Sequence, residues 1–431
     1  MNADMKNRQY NYQAVFLSAI LFLFSGHVQG ESLTWLDCVG EALKNNPDLV
    51  SASESVRQSE ASVAANRSKM FPSLSGSLSG ERSGGDESDM SDSFAYGVSA
   101  RQLLYDGGKS LSDTRSSSER LSASRFRYDV TSAGVRLSLR SAFVDLLKAQ
   151  RQVTIAEDIL SRRKQSTKLI RLSYEGGREH RGSLMTAEAK EAQAEFDLAQ
   201  ARRNVEMAQS KLRELLGRPA LSGMDDLAVK GRFEPSVQEK DKPDFVKLAE
   251  STPLVNELIS QSNAARLGVK SSKADFYPSV YASAGASRSA SDWPPEKDQW
   301  NAGVSMSLPI FEGGSRVADV SRAKSVARQA ESDEKGGRLS ASAVLREKWI
   351  RMQNAIEKIS VREKFLDASR ERARISEVQY SSGLLGFDSW IIIEDDFVLA
   401  EQSFLDAQAG ALTAEAEWVN AKGGTLENES K

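Results

Sequence analysis

The strongest constraint on this chain is that it is written twice. A shift of 206 residues superimposes its landmarks without a gap: Pro47 falls on Pro253, Phe71-Pro72-Ser73 on Tyr277-Pro278-Ser279, and Gly97-Val98-Ser99 on Gly303-Val304-Ser305. Tyr105-Asp106-Gly107-Gly108 meets Phe311-Glu312-Gly313-Gly314, Tyr174 and Gly177 meet Tyr380 and Gly383, and Gly217 meets Gly423. A single offset held this long makes each copy one structural unit with the same internal order. The expected division is a first repeat over 31–217, a linker over 218–243, a second repeat over 244–423 and a C-terminal tail over 424–431.

Within each copy the periodicity changes in a fixed sequence. All ten prolines lie within 47–72, 219–253 and 278–309, which leaves long proline-free tracts suited to helices. A helix of about 35 residues is expected over 34–70 and again over 244–276, each stopped by Pro72 or Pro278. Two strands follow, at about 73–82 and 94–104, then at about 279–288 and 300–310. Leu74, Gly76 and Leu78 alternate with serines, and Trp300, Ala302, Val304 and Met306 alternate with Asn301, Gly303 and Ser305. Period two with small polar residues on one side fits a wall between lipid and water, although a soluble sheet with one wet face has the same pattern. The polar stretches 81–93 and 288–299 read as exposed loops. Then come long helices at 109–172 and 315–378. Their apolar residues, Leu139, Phe143, Leu146, Val153, Ala156, Leu160 and Leu345, Trp349, Met352, Ile356, Ile359, Leu366, step by three and four as in a coiled coil. At about 1.5 Å per residue each rod is on the order of 100 Å long. Glycine turns lead into return helices over 184–216 and 390–422.

Composition removes several functions. With 57 Lys+Arg against 60 Asp+Glu there is no basic footprint for nucleic acid. Two histidines and one cysteine make a dedicated metal site improbable. No P-loop, Gly-x-Ser-x-Gly, His-Glu-x-x-His or dinucleotide fingerprint occurs, so neither an enzyme nor a cofactor is expected. Lys6 and Arg8, the apolar run Ala14–Phe24 and small residues at Val28 and Gly30 read as a signal peptide over 1–30. Cys38 follows Trp35-Leu36-Asp37, which does not fit lipid attachment and suits a small buried helix residue.

Four strands cannot close a barrel, and an open lipid-facing sheet leaves its edge backbone groups unpaired, so other copies of the chain must meet them. The order helix, Phe-Pro-Ser hairpin, Gly-Gly, long helix and Tyr-x-x-Gly turn, twice over, resembles the TolC-like outer-membrane efflux and secretion channels. The likeness is carried by Ala42-Leu43-Lys44-Asn45-Asn46-Pro47, Phe71-Pro72, Leu308-Pro309-Ile310-Phe311-Glu312-Gly313-Gly314 and Tyr380-Ser381-Ser382-Gly383, and it covers essentially all of the chain after residue 30. The resemblance implies a mainly α protein with a membrane β-barrel: a homotrimer whose twelve strands sit in outer-membrane lipid and whose helices form a periplasmic tunnel. It also implies docking to a periplasmic adaptor (membrane fusion) protein and an inner-membrane pump of the RND or ABC type. The expected role is passive export of small molecules, with the outer component of a type I protein secretion system as the alternative. A soluble periplasmic coiled-coil scaffold is the competitor from another class.

On that footing the helix-to-helix turns are the periplasmic tips, and Gly177, Arg178, Gly383 and Leu384 are the candidates for adaptor docking. Asp388, Glu394, Asp395 and Asp396 are the candidates for a carboxylate ring at the tunnel entrance, which would favour cations. Family members commonly carry an acid six residues after the tip glycine; here Ser389 holds that place and Asp388 precedes it. Gly107, Gly108, Gly313 and Gly314 are the candidates for strand-to-helix hinges. Opening would require the inner hairpins to move against the outer ones, driven by an adaptor that prefers the open state.

Overall fold

The protein is described by a computed structural model over residues 32–85, 88–219, 227–235 and 241–429, so the expected signal peptide lies outside the described residues. In chain order the elements are β1 (Ser32–Leu33), α1 (Trp35–Asn45), α2 (Pro47–Ser68), β2 (Ser73–Gly85), β3 (Ser88–Tyr105), α3 (Lys109–Glu175), α4 (Arg181–Leu216) and β4 (Ala228–Val229). Then follow α5 (Phe245–Glu250), α6 (Pro253–Ala274), β5 (Ser279–Ala290), β6 (Lys297–Ser307), α7 (Ser315–Ser381) and α8 (Phe387–Ala421). Shifting α2 and α3 by 206 gives the bounds of α6 and α7. The eight described residues with positive φ are all glycines and form four pairs at the same spacing: 107/313, 108/314, 177/383 and 217/423.

The expected 35-residue opening helix is divided in both repeats, because the residue before a proline is driven extended. Asn46 sits at ψ 122° and serves both neighbours: its N–H donates to Ala42 O, ending α1, while its side chain accepts from Asp48 N and Leu49 N, starting α2. Thr252 marks the equivalent break before Pro253. The return helices each end on a left-handed glycine in close contact. A Cβ at Gly217 would lie 2.2 Å from Asn45 O, and one at Gly423 would lie 2.2 Å from Pro253 Cδ.

The coiled-coil residues build two related cores. Leu139, Phe143 and Leu146 of α3 are buried with Cys38, Val39 and Ala42 of α1 and with Leu212 and Leu216 of α4. Each large side chain so buried contributes roughly 1.5–3 kcal/mol. Burial pushes the Cys38 thiol up to about 12, so it is a packed, inert group. In the second repeat Leu345 and Met352 pack with Phe245, Val255 and Trp418. The α2–α3 and α6–α7 contacts even keep one ion-pair position with its polarity reversed: Glu60–Arg125 and Arg266–Glu331, both at 2.9 Å. The C-terminal segment straps across the first repeat. Glu427 accepts from Tyr128 and Ser132 at 2.7 and 2.6 Å, and Glu429 from Trp35 Nε1 at 2.9 Å and from Arg136.

One antiparallel sheet, in the order β2-β3-β5-β6, joins the two copies through β3 and β5. Its strands run beyond the expected bounds into what read as loops. Arg82 meets Asp92 at 2.6 Å across β2–β3, and Arg288 meets Asp298 at 2.5 Å across β5–β6, again 206 residues apart. These cross-strand pairs carry the ladder outward through polar sequence. At the other end β6 stops at Ser307, short of the expected 310, because Pro309 has no N–H to donate.

Candidate functional site: the strand wall and the helical tips

The strand register sorts most side chains onto two faces. Leu78 is opposite Tyr96, Gly76 opposite Val98, Val98 opposite Ala286, Ala286 opposite Trp300 and Ala282 opposite Val304, so these apolar residues of the four strands share one face, which also carries Arg82 and Arg288, while Leu103 and Tyr281 lie on the other. Ser75, Ser77 and Ser79, with Ser99, Ser283, Ser287, Asn301 and Ser305, occupy the other. On the apolar face Leu78, Trp300, Val304 and Met306 are 71%, 82%, 70% and 68% exposed. From Trp300 to Leu308 the extended chain rises about 27 Å at roughly 3.4 Å per residue, or about 21 Å of height at a tilt near 40°, comparable with the roughly 25 Å apolar band of an outer-membrane barrel. No helix among the described residues is long and apolar enough to cross a membrane.

Gly107-Gly108 and Gly313-Gly314 turn each wall into its rod, with φ from 61° to 86°. Asp106 closes the first turn, accepting from Gly108 N at 3.1 Å and Ser110 N at 2.8 Å. At the far end of the rods, α3–α4 and α7–α8 close by one hydrogen-bond pattern. Gly177 N donates to Tyr174 O and Arg178 N to Ser173 O; Gly383 N donates to Tyr380 O and Leu384 N to Gln379 O. This pattern needs a left-handed residue at the glycine. Gly177, Arg178, Gly383 and Leu384 are all exposed, and a Cβ at either glycine would meet nothing within 4 Å.

The two tips touch. Tyr380 Oη donates to Glu179 Oε1 at 3.1 Å, its ring stacks on Trp390 at 4.4 Å, and Ile170 and Ala187 of the first repeat complete an apolar joint with Phe387 and Ile391. Burial, then the bond to Glu179, holds the Tyr380 hydroxyl up at about 12.

The four expected entrance carboxylates do not act as one set. Asp395 faces the other repeat: one oxygen takes Arg163 Nη2 at 2.6 Å and the other takes Lys190 Nζ at 2.7 Å. Glu394 is buried, and that burial raises its carboxyl while nearby Arg163 and Arg162 oppose the rise. Asp396 lies 3.4 Å from Arg372 of its own repeat. Of the four, Asp388 is exposed and has no ion pair among the described residues; it lies in the first turn of α8. Two further links cross the α3–α8 seam: Arg162–Glu401 at 2.5 Å and Lys148–Asp406 at 2.7 Å. Sequence reasoning missed Arg162, Arg163, Lys190 and Lys148. Their partners lie more than 200 residues away, and no local spacing marks them.

A two-faced four-stranded wall continued by paired 67-residue rods defines a membrane channel element rather than a catalytic fold. The sequence model described as "Outer membrane efflux protein" matches residues 38–218 and again 246–430, so the chain belongs to that family. The chain is 24% identical over 370 residues to "Nodulation protein T" of Rhizobium leguminosarum bv. trifolii, covering 80% of this chain and 76% of that protein. It is 22% identical over 293 residues to "Outer membrane efflux protein BepC" of Brucella suis biovar 1, covering 67% of this chain and 63% of that protein. Among solved structures, the open state of the Neisseria gonorrhoeae MtrE outer membrane channel aligns at TM-score 0.81 and 20% identity, covering 92% of this chain and 90% of that one. The protein is an outer-membrane efflux channel and not an enzyme.

Proposed function

We propose that three copies of this chain close a twelve-stranded barrel in the outer membrane and continue as a helical tunnel, forming the passive exit duct of a tripartite small-molecule exporter. In this reading residues 1–30 are a signal peptide, and 31–217 and 244–423 are equivalent walls of the duct joined by the 218–243 linker. The carrying observation is the two open edges, β2 and β6. Partner numbers across β3–β5 sum to 384, as in Phe94 with Ala290 and Gln102 with Ala282. Moving one partner up by 206 and the other down keeps that sum, so β6 continues onto β2 of the next copy with Met306 opposite Leu78 and Ser305 opposite Ser79. In these pairs, and in Ser307 opposite Ser77, apolar meets apolar and serine meets serine, while Ala302 falls opposite Arg82.

Two glycine pairs support the same closure. A Cβ at Gly97 would meet Ser287 Cβ at 2.7 Å and one at Gly107 would meet Tyr277 Cβ at 2.6 Å, whereas their equivalents Gly303 and Gly313 face open space. Their neighbours in the closed ring are Glu81 and Phe71 of the next copy. The exposed tips at Gly177, Arg178, Gly383 and Leu384 would receive a periplasmic adaptor that links the duct to an inner-membrane pump. Asp388 is the carboxylate best placed to line the entrance. The test is cysteine pairing in detergent: Ser305→Cys with Ser79→Cys, in a Cys38→Ala background, should give a disulfide-linked trimer on non-reducing gels. A monodisperse monomer that needs no detergent would overturn the proposal.

A further inference from the structure

In the trimeric reading above, on which this inference rests, the serine face of the wall lines the lumen of the barrel. Arg101 stands on that face, opposite Ser73 on β2 and Ser283 on β5. In the next two rows outward, through Ser99 and Gly97, every position on the four strands is Ser, Gly, Asn or Gln. Arg101 is therefore the one charge in this stretch of the lining. Glu81 and Lys297 share its face but lie further out along their strands.

The side chain is exposed yet held in place. Its guanidinium lies over the ring of Tyr281, a diagonal neighbour on the same face, at 4.0 Å. That contact positions the cation without cancelling its charge. Among the described residues no carboxylate pairs with Arg101. The acids at the base of the wall have other partners. Asp275 is taken by Lys109 at 2.6 Å and Glu312 by Arg316 at 2.7 Å. Asp106 accepts from Gly108 N and Ser110 N, and Asp113 lies close enough to act on Lys109. The duplication does not repeat the arrangement. Ser307 stands at the equivalent of Arg101, and Ser75 at that of Tyr281, so each chain builds it once.

We infer that Arg101 sets the charge selectivity of the barrel: three guanidiniums, one from each copy, form a ring that draws anions through this section of the duct. Twelve strands about 4.8 Å apart at a tilt of about 40° close at a backbone radius of about 12 Å, and a steeper tilt widens this to about 16 Å. A guanidinium reaching inward stands roughly 6 to 10 Å from the axis, within the screening length of about 10 Å at 0.1 M salt. Small neutral neighbours leave the field of the ring uncancelled at its own level. With one face on Tyr281, the edge N–H groups are turned to the water, where they can take a carboxylate or phosphate oxygen of a passing solute. The ring opposes the cation preference expected of Asp388 at the far end of the rods.

The test is the reversal potential in planar bilayers under a KCl gradient. Between solutions of about 0.1 M and 0.01 M, Arg101→Gln should raise the cation-over-anion permeability ratio roughly threefold. Near about 1 M, where the screening length is about 3 Å, the shift should vanish. Arg101→Lys, which keeps the charge, should leave the ratio unchanged, and so should Ser283→Gln, which adds bulk opposite Arg101 without charge. Arg101→Cys in a Cys38→Ala background separates the two levels of the reading. A cationic, membrane-impermeant thiol reagent should react and restore the parent ratio. A thiol hidden from the reagent in intact trimers would overturn the face assignment, and the inference with it. Reaction without any change in the ratio, or an unchanged ratio in Arg101→Gln at low salt, would overturn the inference alone.

Discussion

Asp395→Ala is the most informative single perturbation, because one carboxylate holds cations from two helices of the other repeat. Its effect can be worked from exposure. Arg163 is 7% exposed, and its Nη1 has no partner among the described residues. Removing one member of a buried ion pair costs about 3–5 kcal/mol. Asp395 is itself 41% exposed, and Glu394 lies close enough to act on Arg163, so the low end applies, at about 3 kcal/mol. Lys190 is 39% exposed and adds less than about 1 kcal/mol. At about 1.4 kcal/mol per tenfold, local opening should rise roughly a hundredfold. Hydrogen exchange of the detergent-solubilised protein should show this acceleration at the α8 amides between 391 and 399, with little change in the strands. Arg163→Met combined with Asp395→Ala should recover most of the protection, because no buried charge is then left over. Acceleration below about threefold in the single variant, or no recovery in the double, would refute the reasoning.

Other expectations follow from the same geometry. Gly423→Ala places a Cβ 2.2 Å from Pro253 Cδ at a φ of 80° and should destabilise the second repeat by about 3 kcal/mol, read as a fall in its melting temperature. Burial alone would raise Glu427 and Glu429, but hydrogen bonds from Ser132 and Tyr128 to the first, and from Trp35 and Arg136 to the second, hold both carboxyls below their ordinary value. Their contribution is therefore present above about pH 4.5 and is lost as pH falls through the lowered values, so proteolysis of the C-terminal strap by an acid protease should increase only below that pH. Asp388→Asn should reduce cation preference in bilayer recordings, whereas Asp396→Asn should not, because Asp396 is already beside Arg372. Leu384→Asp, at a side chain 80% exposed, should abolish cross-linking to an adaptor while leaving the trimer on gels unchanged.

Much of the architecture was legible because it is periodic or local. The duplication fixed the offset that the helix bounds and left-handed glycines share. Period two in the strands sorted the faces of the sheet, and three-four spacing put Leu139, Phe143, Leu345 and Met352 in the cores. The helix breaks at Asn46 and Thr252 were locally encoded too, since each precedes a proline, but long helical periodicity outweighed that signal. The extension of the strands past residue 82 was not legible, because the Arg82–Asp92 pairing depends on a register that composition does not give.

The sequence by itself determined what each segment becomes: rod, strand or turn, and which way its side chains alternate. Only the tertiary structure decided which surfaces of the two copies face each other. Asp388, Glu394, Asp395 and Asp396 look alike along the chain, yet one is buried, one is clasped by Arg163 and Lys190, one sits beside Arg372 and one is exposed. Backbone hydrogen bonding and hydrophobic period act over a few residues and leave a spacing that can be read. An ion pair between helices more than 200 residues apart depends on their rotation and crossing, which packing sets only once the whole fold is assembled.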